Sequence, residues 1–164
     1  MSFFYAEDDP KRAERRPLLI FVVVTLAVGA MASIFSEPAI PNWYAALSRP
    51  SYAPPGWLFA PIWTALYLLM AGAAWRVWRV AGSRSIEISA YGTALGLIFA
   101  WSAIFFGLHR LAAGFAAAAL LAALSLATLV LFARRDRIAA LLFAPFLAWT
   151  AFAAILNYTL LAQN

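Results

Sequence analysis

Five stretches of the chain, residues 18–35, 57–80, 86–108, 111–133 and 138–162, are apolar over lengths that a membrane explains better than a soluble core. A hydrocarbon core about 30 Å thick takes about 20 helical residues. In lipid every backbone N–H and C=O must be satisfied inside the protein, so runs of this kind cross as α-helices. Of the residues, 65% are hydrophobic and 12% charged, against an apolar share of about 45–50% in soluble domains. The expected fold is an all-α integral membrane protein, a bundle of five transmembrane helices. All but one of the connections are short, so sequential helices should pack antiparallel. The absence of cysteine excludes disulfides, thiolate metal sites and cysteine nucleophiles.

The long connection is residues 36–56. Pro50, Pro54, Pro55, Gly56 and Pro61 bar a regular helix before Trp57 and favour extended or turn geometry. Trp43, Tyr44 and Tyr52 therefore fall on a loop, and Trp57, Trp63 and Tyr67 on the first half of the second helix. A connection of about twenty residues is longer than most, which marks it as functional or as a lid. Residues 1–17, MSFFYAEDDPKRAERRP, mix charges and offer little to bury. They read as a flexible or interfacial N-terminal tail ahead of a transmembrane domain at 18–164.

A net charge of +5 could suggest nucleic acid, but the basic residues lie in clusters beside the apolar runs rather than along one helix face. Lys11, Arg12, Arg15, Arg16, Arg76, Arg79, Arg84, Arg134, Arg135 and Arg137 fall on one side of the membrane, and Arg49 and Arg110 on the other. The positive-inside rule then places the N-terminus in the cytoplasm and the long loop and C-terminus outside, in a bacterial, inner (cytoplasmic) membrane. Trp75 and Trp78, beside Arg76 and Arg79, fit an interfacial aromatic belt.

Trp63, Tyr67, Met70 and Ala74 recur at helical spacing on the second helix, as do Pro145, Trp149, Phe152 and Leu156 on the fifth. Large rings pointing inward from two helices either interdigitate or leave a slot suited to a planar conjugated ligand. Asn157, on nearly the same face as Trp149, can bond a ligand or a neighbouring helix. His109 sits in a turn, where a lone histidine is more often structural than a ligand. Glu37, Glu87 and Asp136 lie in different connections, so paired carboxylates for acid–base work are absent. No phosphate loop, Ser/His/Asp set or metal-ligand spacing occurs, and any reaction would borrow the reactivity of a bound ligand. On the third helix Gly92, Gly96 and Ala100 repeat every four residues, a spacing that lets helices approach closely in lipid and points to a homodimer or another helix–helix contact.

The run Trp43-Tyr44, Leu47, Arg49-Pro50, Pro54-Pro55-Gly56-Trp57-Leu58-Phe59, Pro61, Trp63-Thr64, Leu66-Tyr67 resembles the signature of the tryptophan-rich sensory protein family, also called the translocator protein or peripheral benzodiazepine receptor family. Trp101-Ser102, Phe105-Phe106-Gly107 and Pro145-Phe146, Trp149, Leu156-Asn157 resemble its third- and fifth-helix patterns. The resemblance covers nearly all of residues 34–164. It implies a five-helix bundle, often dimeric, whose cavity under the first loop binds porphyrins. Carried over by motif position, the implied ligand-binding residues are Trp43, Tyr44, Trp63, Tyr67, Trp101, Phe105, Trp149 and Asn157. Where the family pattern has a Gln and an Asn on the third helix, this chain has Ala94 and Ile98. No Lys or Arg follows Tyr158, so the family's sterol motif is not matched.

The function expected is that of a membrane porphyrin-binding protein of sensory or transport type, needing no cofactor beyond a bound tetrapyrrole. One alternative is an accessory or scaffolding subunit of a pigment-bearing photosynthetic complex. The other is a light- or oxygen-dependent porphyrin-degrading enzyme with Trp149 as redox partner. Lipid and a planar hydrophobic ligand are the partners expected, and nucleic acid is not.

Overall fold

The computed structural model describes residues 10–164, with side chains from Arg16 onward. It contains the five membrane-length helices read from the sequence: α1 (Pro10–Ala39), α2 (Phe59–Ala81), α3 (Ile86–Ser102), α4 (Leu111–Arg135) and α5 (Arg137–Gln163). Residues 1–9 of the expected tail lie outside the described residues. The rest of that tail is already α1, because Pro10 suits a first helical position and the Lys, Arg, Ala and Glu after it are good helix formers.

Two helix ends differ from the sequence reading. The first helix runs past residue 35 to Ala39 and continues as a π turn, Ile40–Tyr44, so the irregular part of the loop is shorter than expected. Pro41 has no N–H to offer the preceding turn, the backbone widens around it, and Asn42 Nδ2 donates to the Pro38 carbonyl at 2.8 Å. The third helix leaves α geometry at Ser102 for a second π turn, Ala103–Gly107, which the Leu108 N–H closes on the Ala103 carbonyl at 2.8 Å. His109 then reverses the chain in the left-handed region, at φ 54°. The second helix enters through a single 3₁₀ turn, Gly56–Leu58, after Pro55.

A dry core runs the length of the bundle and includes Leu66, Tyr67, Met70, Ala74, Val77, Tyr91, Phe132, Phe143 and Phe146. Ala94 and Ile98 are buried in it, Ile98 at the border of the cavity between α1, α2 and α3. A buried amide at either place would need a partner, which these apolar side chains do not. Two hydrogen bonds tie α1 to α3: the Thr25 and Tyr91 hydroxyls bond to each other, and Ser102 Oγ donates to the Ala32 carbonyl at 2.8 Å. Gly92 and Gly96 face outward with open space where a Cβ would stand, and Ala100 is half-buried. The small-residue row thus lies on the outer surface of α3.

The loop is tied across the end of α5. Ser48 N–H donates to Asn164 Oδ1 at 2.9 Å, Asn164 Nδ2 donates to the Ser48 carbonyl at 3.2 Å, and the Tyr52 and Thr159 hydroxyls bond at 2.6 Å. At the opposite, arginine-rich end, Arg135 pairs with the buried Glu87 at 2.7 Å, and Arg76 pairs with Asp136 at 2.8 Å.

Asp136 is the whole connection between α4 and α5, and its Oδ1 accepts from the Ile138 and Ala139 N–H groups at 2.8 and 3.1 Å. Burial alone would raise its pKa, but the Ala139 N–H, the Arg76 guanidinium and the Ile138 N–H together hold the carboxyl below its ordinary value. A carboxyl depressed in the fold contributes stability that is present above its unfolded pKa, about 3.9, and is lost as the pH falls through its folded pKa. Asp136→Ala, which also removes the cap, is expected to lower stability near neutral pH by about 1–2 kcal/mol. The loss should shrink as the pH falls below about 4 and onward through the lower folded pKa, where the wild-type carboxyl takes up its own proton. Thermal unfolding in detergent against pH checks both parts.

Candidate functional site

The aromatic residues do not enclose one chamber; they border two spaces of different kind. The larger, about 450 Å³, lies between α1, α2 and α3. On α1 its wall is made of Leu26, Gly29, Ala30, Ala32, Ser33, Ser36 and Glu37, continued by Ile40 and Pro41. Gly56, Phe59, Ala60, Trp63, Thr64 and Tyr67 face them from α2 and its first turn, and Ile98, Trp101, Ser102 and Phe106 form the floor. Small residues on α1 leave the room, and rings on α2 and α3 give it flat apolar walls. Gly29 is required for the fit, because a Cβ there would stand 2.3 Å from Tyr67 Cε2.

The second space, under the loop, is nearly closed at about 10 Å³ and is bordered by Tyr44, Phe59, Trp101, Phe105, Phe106, Trp149, Phe152 and Asn157 among others. Its rings interlock. Trp101 stacks on Phe105 (5.9 Å, 8°) and meets Phe106 edge-on (5.6 Å, 76°), while Trp149 meets Phe59 edge-on (6.3 Å, 80°). Asn157 Nδ2 donates to the Ala153 carbonyl at 2.8 Å, and its Oδ1 accepts from Trp101 Nε1 at 3.4 Å, so its amide is taken up by the bundle. The Tyr44 hydroxyl is buried here with no partner at hydrogen-bond distance among the described residues, the Arg49 guanidinium lying over its ring at 5.4 Å.

Of the residues singled out from the sequence, Trp63, Tyr67 and Trp101 border the open cavity, and Tyr44, Trp101, Phe105, Trp149 and Asn157 border the closed space. Trp101 faces both. Trp43 borders neither: its ring stacks on His109 (4.4 Å, 14°) and meets Phe105 edge-on (5.2 Å), pinning the loop to the turn between α3 and α4. Trp149 does not line the open cavity and reaches it through Trp63 (6.5 Å, 89°) and Phe59 (6.3 Å, 80°). The α1 wall escaped the sequence reading. Gly29 and Ser33 stand four residues apart with Ser36 and Glu37 one turn further, and that small-and-polar row in an otherwise bulky run was the available signal.

Glu37 is the one charged residue on the cavity wall. Among the described residues no group of three or more His, Asp or Glu is placed to hold a metal ion. What this site offers a ligand is shape, ring faces and a polar rim, which suits binding rather than bond-breaking.

Residues 21–162 match the profile of the TspO/MBR family. The Tryptophan-rich protein TspO of Archaeoglobus fulgidus is 34% identical over 148 residues, covering 90% of this chain and 96% of that protein. Protein CrtK of Rhodobacter capsulatus is 37% identical over 154 residues, covering 88% of this chain and 91% of its own length. The Translocator protein of Homo sapiens is 34% identical over 127 residues, 75% of each chain. With its five membrane-length helices and the loop packed over the end of α5, the chain belongs to the TspO/MBR family.

Proposed function

We propose that this membrane protein, of the sensory or transport type that its relatives' names describe, takes up a tetrapyrrole or similarly planar pigment between α1 and α2. The observation that carries the reading is the cavity of about 450 Å³ walled by the rings of Trp63, Tyr67 and Trp101, a size within the range of small-molecule sites, about 300–1,000 Å³. The closed space under the loop, about 10 Å³, has no room for a macrocycle as it stands. The ligand therefore lies lateral to the closed space, against α1. Porphyrin degradation through Trp149 finds no comparable support, because that ring does not line the cavity. The arginine-rich end faces the cytoplasm in this reading, by the same charge asymmetry that the sequence displays.

Titration of the purified protein with protoporphyrin IX is expected to quench tryptophan fluorescence saturably. Trp63→Leu should weaken binding about tenfold, the loss of roughly one stacked ring face, and Trp43→Leu should leave it near wild type. Unsaturable quenching, or an affinity unmoved by Trp63→Leu, would overturn the site.

A further inference from the structure

The only charge on the cavity wall among the described residues, that of Glu37, stands at its loop end, with Ser33 and Ser36 on the same stretch of α1. Glu37, near the loop end of α1, is exposed and makes no ion pair or side-chain hydrogen bond among the described residues. The nearby hydroxyls point their protons elsewhere: Ser33 Oγ donates to the Ala30 carbonyl at 2.9 Å, Thr64 Oγ1 to the Ala60 carbonyl at 2.8 Å, and Ser102 Oγ to the Ala32 carbonyl at 2.8 Å. A hydroxyl whose proton is engaged can only accept. Of the cavity's five hydroxyl groups, only those of Ser36 and Tyr67 have no bond of this kind. Among the described residues no Lys, Arg or His lines the cavity to receive an anion. Arg49, the nearest basic residue in the loop sequence, is turned over the Tyr44 ring at 5.4 Å.

A carboxylate at this end would face another carboxylate, with only the Ser36 and Tyr67 hydroxyls free to donate to it. An ammonium group would meet a counter-ion in Glu37 and hydroxyl oxygens able to accept on the same cavity wall. We propose that the loop end of the α1–α2 cavity is a site for a cationic head group, with Glu37 as the residue that selects it, so that the cavity takes apolar ring systems bearing a protonated amine in preference to those bearing carboxylates. The inference rests on the reading that the cavity accepts a flat apolar body, and it adds the charge of that body's polar arm. Trp63 and Tyr67 hold the body, whereas Glu37 reads the arm.

The test keeps the macrocycle and varies its charge. Protoporphyrin IX with free carboxylates, its neutral dimethyl ester and its bis(ethylenediamine) diamide, which carries ammonium arms, are titrated against the full chain in non-ionic detergent at low salt. Binding is expected to be tightest for the diamide and weakest for the free acid, about tenfold apart, as for one partly screened charge contact. In Glu37→Gln that spread should fall below about threefold, while the ester's affinity stays put. Glu37 is exposed and bonds nothing in the bundle, so the variant should fold like wild type, and thermal unfolding checks this. Equal affinities for the three compounds, or a spread that survives in Glu37→Gln, would overturn the charge selection and leave the cavity reading standing. If even the neutral ester fails to quench, the cavity reading falls, and the selection with it.

Discussion

Trp101→Ala should be the most damaging single substitution in the bundle, lowering stability by about 3–5 kcal/mol, the range for truncating a large buried aromatic. Trp101 is 5% exposed and, with Phe59 and Phe106, faces both the open cavity and the closed space. It stacks on Phe105, lies 5.9 Å from Trp63 at 32°, meets Phe106 edge-on, and donates to Asn157 on α5. Deleting it removes contacts between α3 and both α2 and α5 and leaves a void that those helices cannot close without moving. Trp101→Phe keeps a ring in the stack and should lose much less, chiefly the hydrogen bond and the missing ring atoms. Unfolding in detergent by heat or denaturant measures both. A Trp101→Ala protein as stable as Trp101→Phe would mean that the rings are not the joint between these helices.

Gly29→Ala is the second large effect, and it comes from adding one carbon. The new Cβ would stand 2.3, 2.8 and 3.0 Å from Cε2, Cδ2 and Cζ of Tyr67, and the Tyr67 ring is buried, so either the ring or α1 must shift. Overpacking of this kind lowers stability by about 1–3 kcal/mol. Because Gly29 and Tyr67 form facing walls of the cavity, the same shift should change ligand affinity as well as stability. Gly29→Ala combined with Tyr67→Leu should recover part of the loss, since the shorter side chain vacates the clash. The coupling between the two substitutions is the measurement: additive losses would show that the contact is not what Gly29 is there for. Gly92→Ala, with open space around it, is the control and should be close to neutral.

Much of the architecture was legible in residue order, because the length of an apolar run is a local property and a membrane converts it directly into a span. The helix ends were less so. The first span was expected to end at residue 35, yet α1 runs through Pro38 and a π turn absorbs Pro41, helped by the Asn42 side chain. Propensity marks where a helix is weakened, and tertiary contacts decide whether it ends.

The site divides along the same line. From the sequence alone came the five spans, the loop laid over them, the inward rings of Trp63, Tyr67 and Trp101 and the family signature, since each depends on spacing along one segment or on a short motif. What the sequence could not contain was the position of the empty space. Helical spacing singles out Trp149 and the family motif Phe105 and Tyr44 just as both single out Trp63, but only the packed bundle shows that the first three interlock while the fourth borders a cavity. That outcome depends on Gly29 and Ser33 of α1 lying opposite Trp63 and Tyr67 of α2 and Ser102 of α3. Whether rings close on one another or leave a slot is set by the small residues across from them, and those belong to other segments of the chain.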